Sequence, residues 1–136
     1  RMERRGLMQK VLLDTNALIA LSDPEHRLFQ IAEMAIKGGA EALTCSVAWH
    51  EYVRGPLLDR DRSRALRIIE NRILSLGRKD AETAAALFNE TGRRRGSTAD
   101  CLIAAVAIRI QADFLTWNLQ DFRPFIPSGL RLIEEI

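Results

Sequence analysis

Cysteine and histidine are scarce in this chain, two of each in 136 residues. Cys45 and Cys101 sit apart in apolar runs, and they offer neither zinc-ligand spacing nor a disulfide framework. Both are expected to be small buried hydrophobes in a reducing compartment. His26 and His50 form no pair at metal-ligand spacing, and both are expected on the surface. No stretch is long and apolar enough to span a membrane. The opening RMERRGLMQKVLL has the basic-then-apolar order of a secretory signal. Asp14, Thr15 and Asn16 break that apolar run, however, and no small-residue cleavage site follows. These absences point to a cytoplasmic protein. No linker, repeat or low-complexity segment divides the chain, whose length suits one domain. A strong charge of one sign is missing as well. The net charge of +2 leans weakly toward anionic partners and does not separate a nucleic-acid binder from an enzyme.

What is present is a core-forming pattern, 47% hydrophobic. Val11–Leu13 is apolar without alternation, as in a strand buried on both faces of a parallel sheet. Asp14, Thr15 and Asn16 are capping types that lead into a helical Ala17–Leu21. Periodicity predicts a helix over Glu25–Lys37, with Leu28, Ile31, Ala32, Ala35 and Ile36 on one stripe, stopped at Gly38 and Gly39. Ala42–Cys45 reads as a second strand. Ser46 then caps a helix that carries Glu51 and ends near Gly55 and Pro56. Arg60–Glu70 reads as a basic amphipathic helix, Ile73–Leu76 as a third strand, and Asp80–Arg94 as a helix closed by Gly96. Thr98–Ile110 is apolar almost all round and is expected to be central and buried. Phe114–Trp117 and Leu130–Ile133 complete four or five strands. Strands alternating with helices imply a three-layer α/β/α domain around a mostly parallel sheet.

That element order gathers four acids. Asp14, Glu51 and Asp121 follow the carboxyl ends of strands one, two and four. Asp100 lies in the first turn of the helix that feeds strand four, so it comes to the same edge. Ligands of open α/β sheets bind at this edge. Each acid also has a structural reading. Asp14 can cap a helix or close an Asx turn. Glu51 can be a solvated helix residue. Asp100 follows Ser97 by three, a capping-box spacing, and Asp121 follows Asn118 in a turn-like segment. Clustered carboxylates repel unless a cation lies between them. Hard divalent ions such as Mg²⁺ and Mn²⁺ choose oxygen ligands. Such ions relieve charge on a phosphate and acidify water, so phosphodiester cleavage then needs no histidine base. Arg93, Arg94 and Arg95 precede the Asp100 helix. They either satisfy a helix C-terminus or hold phosphates on either side of a scissile bond beside the acids. Arg60, Arg62, Arg64 and Arg67 form a second basic patch, read as solvated.

Four segments in this order resemble the motifs of PIN-domain ribonucleases, most closely the VapC-type toxins of prokaryotic toxin–antitoxin pairs. The resemblance runs from Val11 to about Ile133. LLDTNALIAL resembles the opening motif, whose aspartate maps to Asp14. The glutamate-bearing helix after strand two maps to Glu51. DCLIAAVA, which starts at Asp100, resembles the D-x-x-I-A-A-x-A helix. TWNLQDF resembles T-x-N-x-x-D-F and maps to Asp121. The resemblance implies a metal-dependent endoribonuclease with Mg²⁺ or Mn²⁺ held by Asp14, Glu51, Asp100 and Asp121. Thr116, Asn118 and Asn16 would support those ligands by hydrogen bonds. It also implies a single-stranded or looped RNA substrate, products with 5′-phosphate and 3′-hydroxyl ends, a homodimer, and a small antitoxin partner whose C-terminal segment plugs the site.

The chain departs from the pattern in places. Asn118 stands where certain relatives carry a further acid, which leaves a second metal site weak or filled only with substrate. Trp117 stands where relatives often carry a basic residue, and it either stacks on a base or serves a core or an interface. Trp49 and His50 beside Glu51 have no role derivable from sequence. Three other readings stay open: a housekeeping RNA-processing nuclease, a non-catalytic RNA-binding or scaffold domain, and a phosphatase with an aspartyl nucleophile. The last needs D-x-D-x-T or D-x-x-x-T after strand one, and DTNAL from Asp14 offers neither.

Overall fold

The computed structural model describes residues 8–136; most of the basic opening segment lies outside them. Five strands, β1 (Lys10–Leu13), β2 (Glu41–Cys45), β3 (Ile73–Leu74), β4 (Asp113–Leu115) and β5 (Arg131–Leu132), form one sheet in the order β3-β2-β1-β4-β5. Every neighbouring pair is parallel. The sheet is therefore wholly parallel, where the sequence implied mostly so. The helices are α1 (Thr15–Ala20), α2 (Arg27–Lys37), α3 (Ser46–Val53), α4 (Asp59–Ile68), α5 (Arg78–Glu90), α6 (Thr98–Ile110) and α7 (Leu119–Phe122). A 3-10 segment, Arg123–Ser128, precedes β5. Helices cover the sheet to give three layers, as a parallel sheet requires to bury both faces.

β1 lies at the centre, and Val11, Leu12 and Leu13 are each 1% exposed or less. From β1 the chain runs outward through β2 to β3, then returns to place β4 on the other side of β1. The strand order thus reverses between β1 and β4. The carboxyl ends of those two strands flank a topological switch point, the standard crevice of such sheets. α6 is buried as its composition implied, with Cys101 and Ile103 through Ala107 all in the core.

Several boundaries differ from the sequence reading. α5 stops at Glu90 because Gly92 (φ 87°) and Arg93 (φ 56°) adopt left-handed backbone that cannot continue a helix. The three arginines are therefore in the turn before α6. β4 ends at Leu115, so Thr116 and Trp117 lie just beyond the strand. Asp121 lies in a short helix, α7, that periodicity did not indicate. α2 starts at Arg27, and Ile36 is 37% exposed, outside the expected stripe. His26 is half-buried rather than superficial, because its Nδ1 accepts the Leu28 N–H at 3.0 Å and caps α2.

α5 and α6 are locked by one ion pair. Asp80 is 3% exposed; its Oδ1 accepts Arg109 Nε at 2.8 Å and its Oδ2 accepts the Gly77 N–H at 3.0 Å. Burial opposes ionisation, but the Arg109 and Gly77 bonds prevail and hold the carboxyl below its usual range. Losing one partner of a fully buried pair costs about 3–5 kcal/mol. Arg109 is 43% exposed, so solvent takes up much of that, and Asp80→Ala is expected to cost about 1–2 kcal/mol. A depressed pKa contributes stability above the unfolded carboxylate value and loses it as pH falls through the lower folded value. The wild-type advantage in urea unfolding should thus be full at pH 7 and shrink in strong acid. Equal midpoints at pH 7 would show that the pair contributes nothing.

Candidate functional site

Asp14 directly follows β1, and its N–H continues the ladder to the Leu115 carbonyl at 3.0 Å. The sheet itself therefore fixes its backbone. Asp14 is 4% exposed and stands at the N-cap position of α1, yet its side chain does not cap that helix. Its Oδ2 accepts the Thr116 hydroxyl at 2.7 Å and Asn16 Nδ2 at 3.5 Å. The Thr116 oxygen in turn accepts the Asn118 N–H at 3.0 Å, and Asn16 Oδ1 accepts the Trp117 N–H at 2.8 Å. The segment after β1 and the segment after β4 are thus stitched together through one carboxylate.

The other acids approach from three helices. Glu51, on α3, accepts the Thr15 hydroxyl at 2.7 Å. Asp100, in the first turn of α6, is half-buried. The capping box suggested by its spacing does not form, because Ser97 Oγ donates instead to the Arg94 carbonyl at 2.7 Å. The Asp100 carboxylate is left to meet the Arg94 guanidinium at 3.2 Å. Asp121 is exposed in the first turn of α7. The acids act on one another in pairs. Asp14 is repelled by Asp100 and Glu51, and Asp100 by Asp121 and Glu51.

An all-carboxylate edge matches the donor preference of a hard divalent cation. Among the described residues, however, no three acidic, histidine or cysteine side chains stand close enough together to hold an ion. Here Glu51 is tied to Thr15 and Asp100 to Arg94.

The family model described as a PIN domain matches residues 11–123. The chain belongs to the PIN-domain family. A search of curated proteins finds no match. Among solved structures, the fold is similar to VapBC2 from Rickettsia felis bound to a promoter DNA fragment (TM-score 0.70, 21% identity, 92% of this chain and 98% of that one). It is similar to a toxin–antitoxin complex from Klebsiella pneumoniae (TM-score 0.70, 23% identity, 91% and 96%). VapBC-1 from nontypeable Haemophilus influenzae is a further neighbour (TM-score 0.66, 19% identity, 93% and 98%).

Within this PIN fold the supporting residues sort by contact. Thr116 and Asn16 touch Asp14 directly, whereas Asn118 contributes its backbone N–H and has an exposed side chain. Of the three arginines, Arg94 reaches the acids. Arg93 turns back onto α5, bonded to Asn89 and lying 5.3 Å over the Phe88 ring, while Arg95 is exposed. Trp49 packs against Tyr52, ring centroids 5.1 Å apart, which explains a bulky residue beside Glu51. Two positions carry roles that sequence reasoning missed. Thr15 orients Glu51, and buried Thr44 donates to the Leu13 carbonyl at 2.7 Å, tying β2 to the strand end before Asp14. Thr15 lay inside a capping-type triplet, a signal that pointed to local turns rather than to a helix farther along the chain.

Burial lifts the Asp14 pKa to about 6, with repulsion from Asp100 and Glu51 adding and the Thr116 bond opposing. A raised folded pKa means that stability is full below the unfolded value of 3.8 and is lost as pH rises through about 6. Asp14→Asn removes that cost, so at pH 7.5 the variant should be more stable than wild type by about 2–3 kcal/mol. The gap should close by pH 4. Urea unfolding at both pH values checks this, and a variant less stable at pH 7.5 would contradict it.

Proposed function

We propose that this PIN domain is a metal-dependent endoribonuclease and the toxin of a VapBC-type toxin–antitoxin module. The observation that supports the reading is the charge repulsion linking Asp14 with Asp100 and Glu51, and Asp100 with Asp121 and Glu51, with burial pushing the Asp14 pKa up to about 6. Structures with toxin–antitoxin complexes as their subject share the fold and support the biological setting. In this reading the four carboxylates would hold Mg²⁺ or Mn²⁺. Such an ion supplies positive charge against the phosphate and acidifies water. Thr116 and Asn16 keep Asp14 in one rotamer, and Thr15 does the same for Glu51. Arg94 lends a cation at the rim, where a substrate phosphate competes with Asp100 for its guanidinium.

The substrate is single-stranded or looped RNA, cut to 5′-phosphate and 3′-hydroxyl ends. The partners are a second copy of the chain and a small antitoxin, whose basic side chain can neutralise the acids in place of the ion. The module acts in the cytoplasm; no helix of the described residues is long and apolar enough to cross a membrane.

Asp14→Asn and Asp100→Asn should each lower RNA cleavage by about 100-fold or more, the scale of losing one electrostatic element of a catalytic site. EDTA should abolish cleavage, and added Mn²⁺ should restore it. End-labelled single-stranded RNA and sequencing of the new termini provide the readout. Cleavage undiminished in EDTA would defeat the metal-dependent mechanism. No Mn²⁺ uptake dependent on Asp14 would favour a non-catalytic RNA-binding or scaffold domain.

A further inference from the structure

Trp117 is 54% exposed, yet it follows Thr116, which is fully buried and bonded to Asp14. Consecutive Cα atoms lie about 3.8 Å apart, so the Trp117 backbone directly adjoins the residue that bonds to Asp14. Its backbone is pinned, because its N–H donates to Asn16 Oδ1 at 2.8 Å. Its ring is braced too. His26 meets it edge-to-face, with centroids 5.1 Å apart and planes at 68°. His26 is itself immobilised by accepting the Leu28 N–H at 3.0 Å. A T-shaped contact occupies at most one face of an indole, and the exposure shows that much of this one meets solvent. Trp49, by contrast, is half-buried against Tyr52 and presents no such platform.

We propose that Trp117 is a stacking platform for one unpaired base of the RNA substrate, next to the scissile phosphate. The inference rests on the nuclease reading for the identity of its ligand. An edge lined with four acids repels a phosphate backbone, so affinity there has to come from cations and from neutral contacts. Arg94 is a cation at that edge. A base stacked on an aromatic ring is the neutral contact, and it tolerates any base because each has a π-face. A preorganised ring loses little freedom on binding. Stacking also needs a base splayed out of a helix, which gives the site a preference for single strands over duplexes. His26 is a positioning residue that holds the indole.

The test uses the full chain carrying Trp49→Phe, so that Trp117 is the sole indole, and Asp14→Asn to block turnover. A six-nucleotide oligouridylate should quench the fluorescence saturably, and a duplex of the same length should do so at least about fivefold more weakly. Trp117→Ala should raise the dissociation constant, read by anisotropy of labelled RNA, by about 5- to 100-fold, and Trp117→Phe should recover most of it. The position is exposed, so circular dichroism of both variants should match wild type. Absent quenching, or an unchanged dissociation constant in Trp117→Ala, overturns the proposal. A fluorescence change that follows protein concentration without RNA also overturns it, and assigns the indole to a protein interface. Cleavage by the wild-type chain, run in parallel, keeps the two readings apart. Cleavage without quenching removes the platform alone, and quenching without cleavage removes the nuclease.

Discussion

The hydrogen bond from the Thr116 hydroxyl to Asp14 Oδ2, 2.7 Å long and buried, is the contact on which the rest of this site depends. It joins residues 102 apart in sequence at the place where the sheet reverses its strand order. Asp14 cannot move away, because its own N–H belongs to the β1–β4 ladder. The carboxylate is thus held in a dry place beside other carboxylates, a state that costs stability and persists because the central strands determine it. Thr116 and Asn16 offset part of that cost by donating to the charge.

Around this fixed acid the other charges are arranged by topology. Parallel strands send the segments that follow them to one edge, where α3 follows β2 with Glu51 and α7 follows β4 with Asp121, while Asp100 lies in the first turn of α6, the helix that feeds β4. The turn between α5 and α6 delivers Arg94, and left-handed residues in that turn bring the guanidinium back onto Asp100. The edge therefore contains both acids that suit a cation and a cation of its own that holds one of them in check. The exposed Trp117, braced by His26, follows Thr116 directly in the chain, next to the residue that bonds to Asp14.

Much of this was legible in the order of the residues. Val11–Leu13 announced a strand buried on both faces, and the apolar DCLIAAVA run announced α6 as central. The spacing of the acids against these elements implied one edge, and charge repulsion links Asp14 with Asp100 and Glu51, and Asp100 with Asp121 and Glu51. Local signals were weaker where two uses of one residue compete. Ser97 and Asp100 have capping-box spacing, but Ser97 bonds to a carbonyl and Asp100 turns to Arg94. Asp14 occupies an N-cap position without capping. Each time, a partner distant in sequence outcompeted the helix end, and no local pattern records that partner. His26 shows the same thing in reverse, since a residue expected on the surface caps α2 and braces a ring 91 positions onward.

The sequence by itself determined the alternation of strands and helices, the buried identity of β1 and α6, and the presence of acids at element ends. Those are consequences of hydrophobic period and backbone preference, which act over a few residues. Tertiary structure alone decided which hydroxyl meets which carboxylate, which of three arginines reaches the acids, and whether a tryptophan is covered or open. Such choices depend on the register of β1 against β4 and on where α5 stops, and a shift of one residue in either would turn every one of these side chains elsewhere.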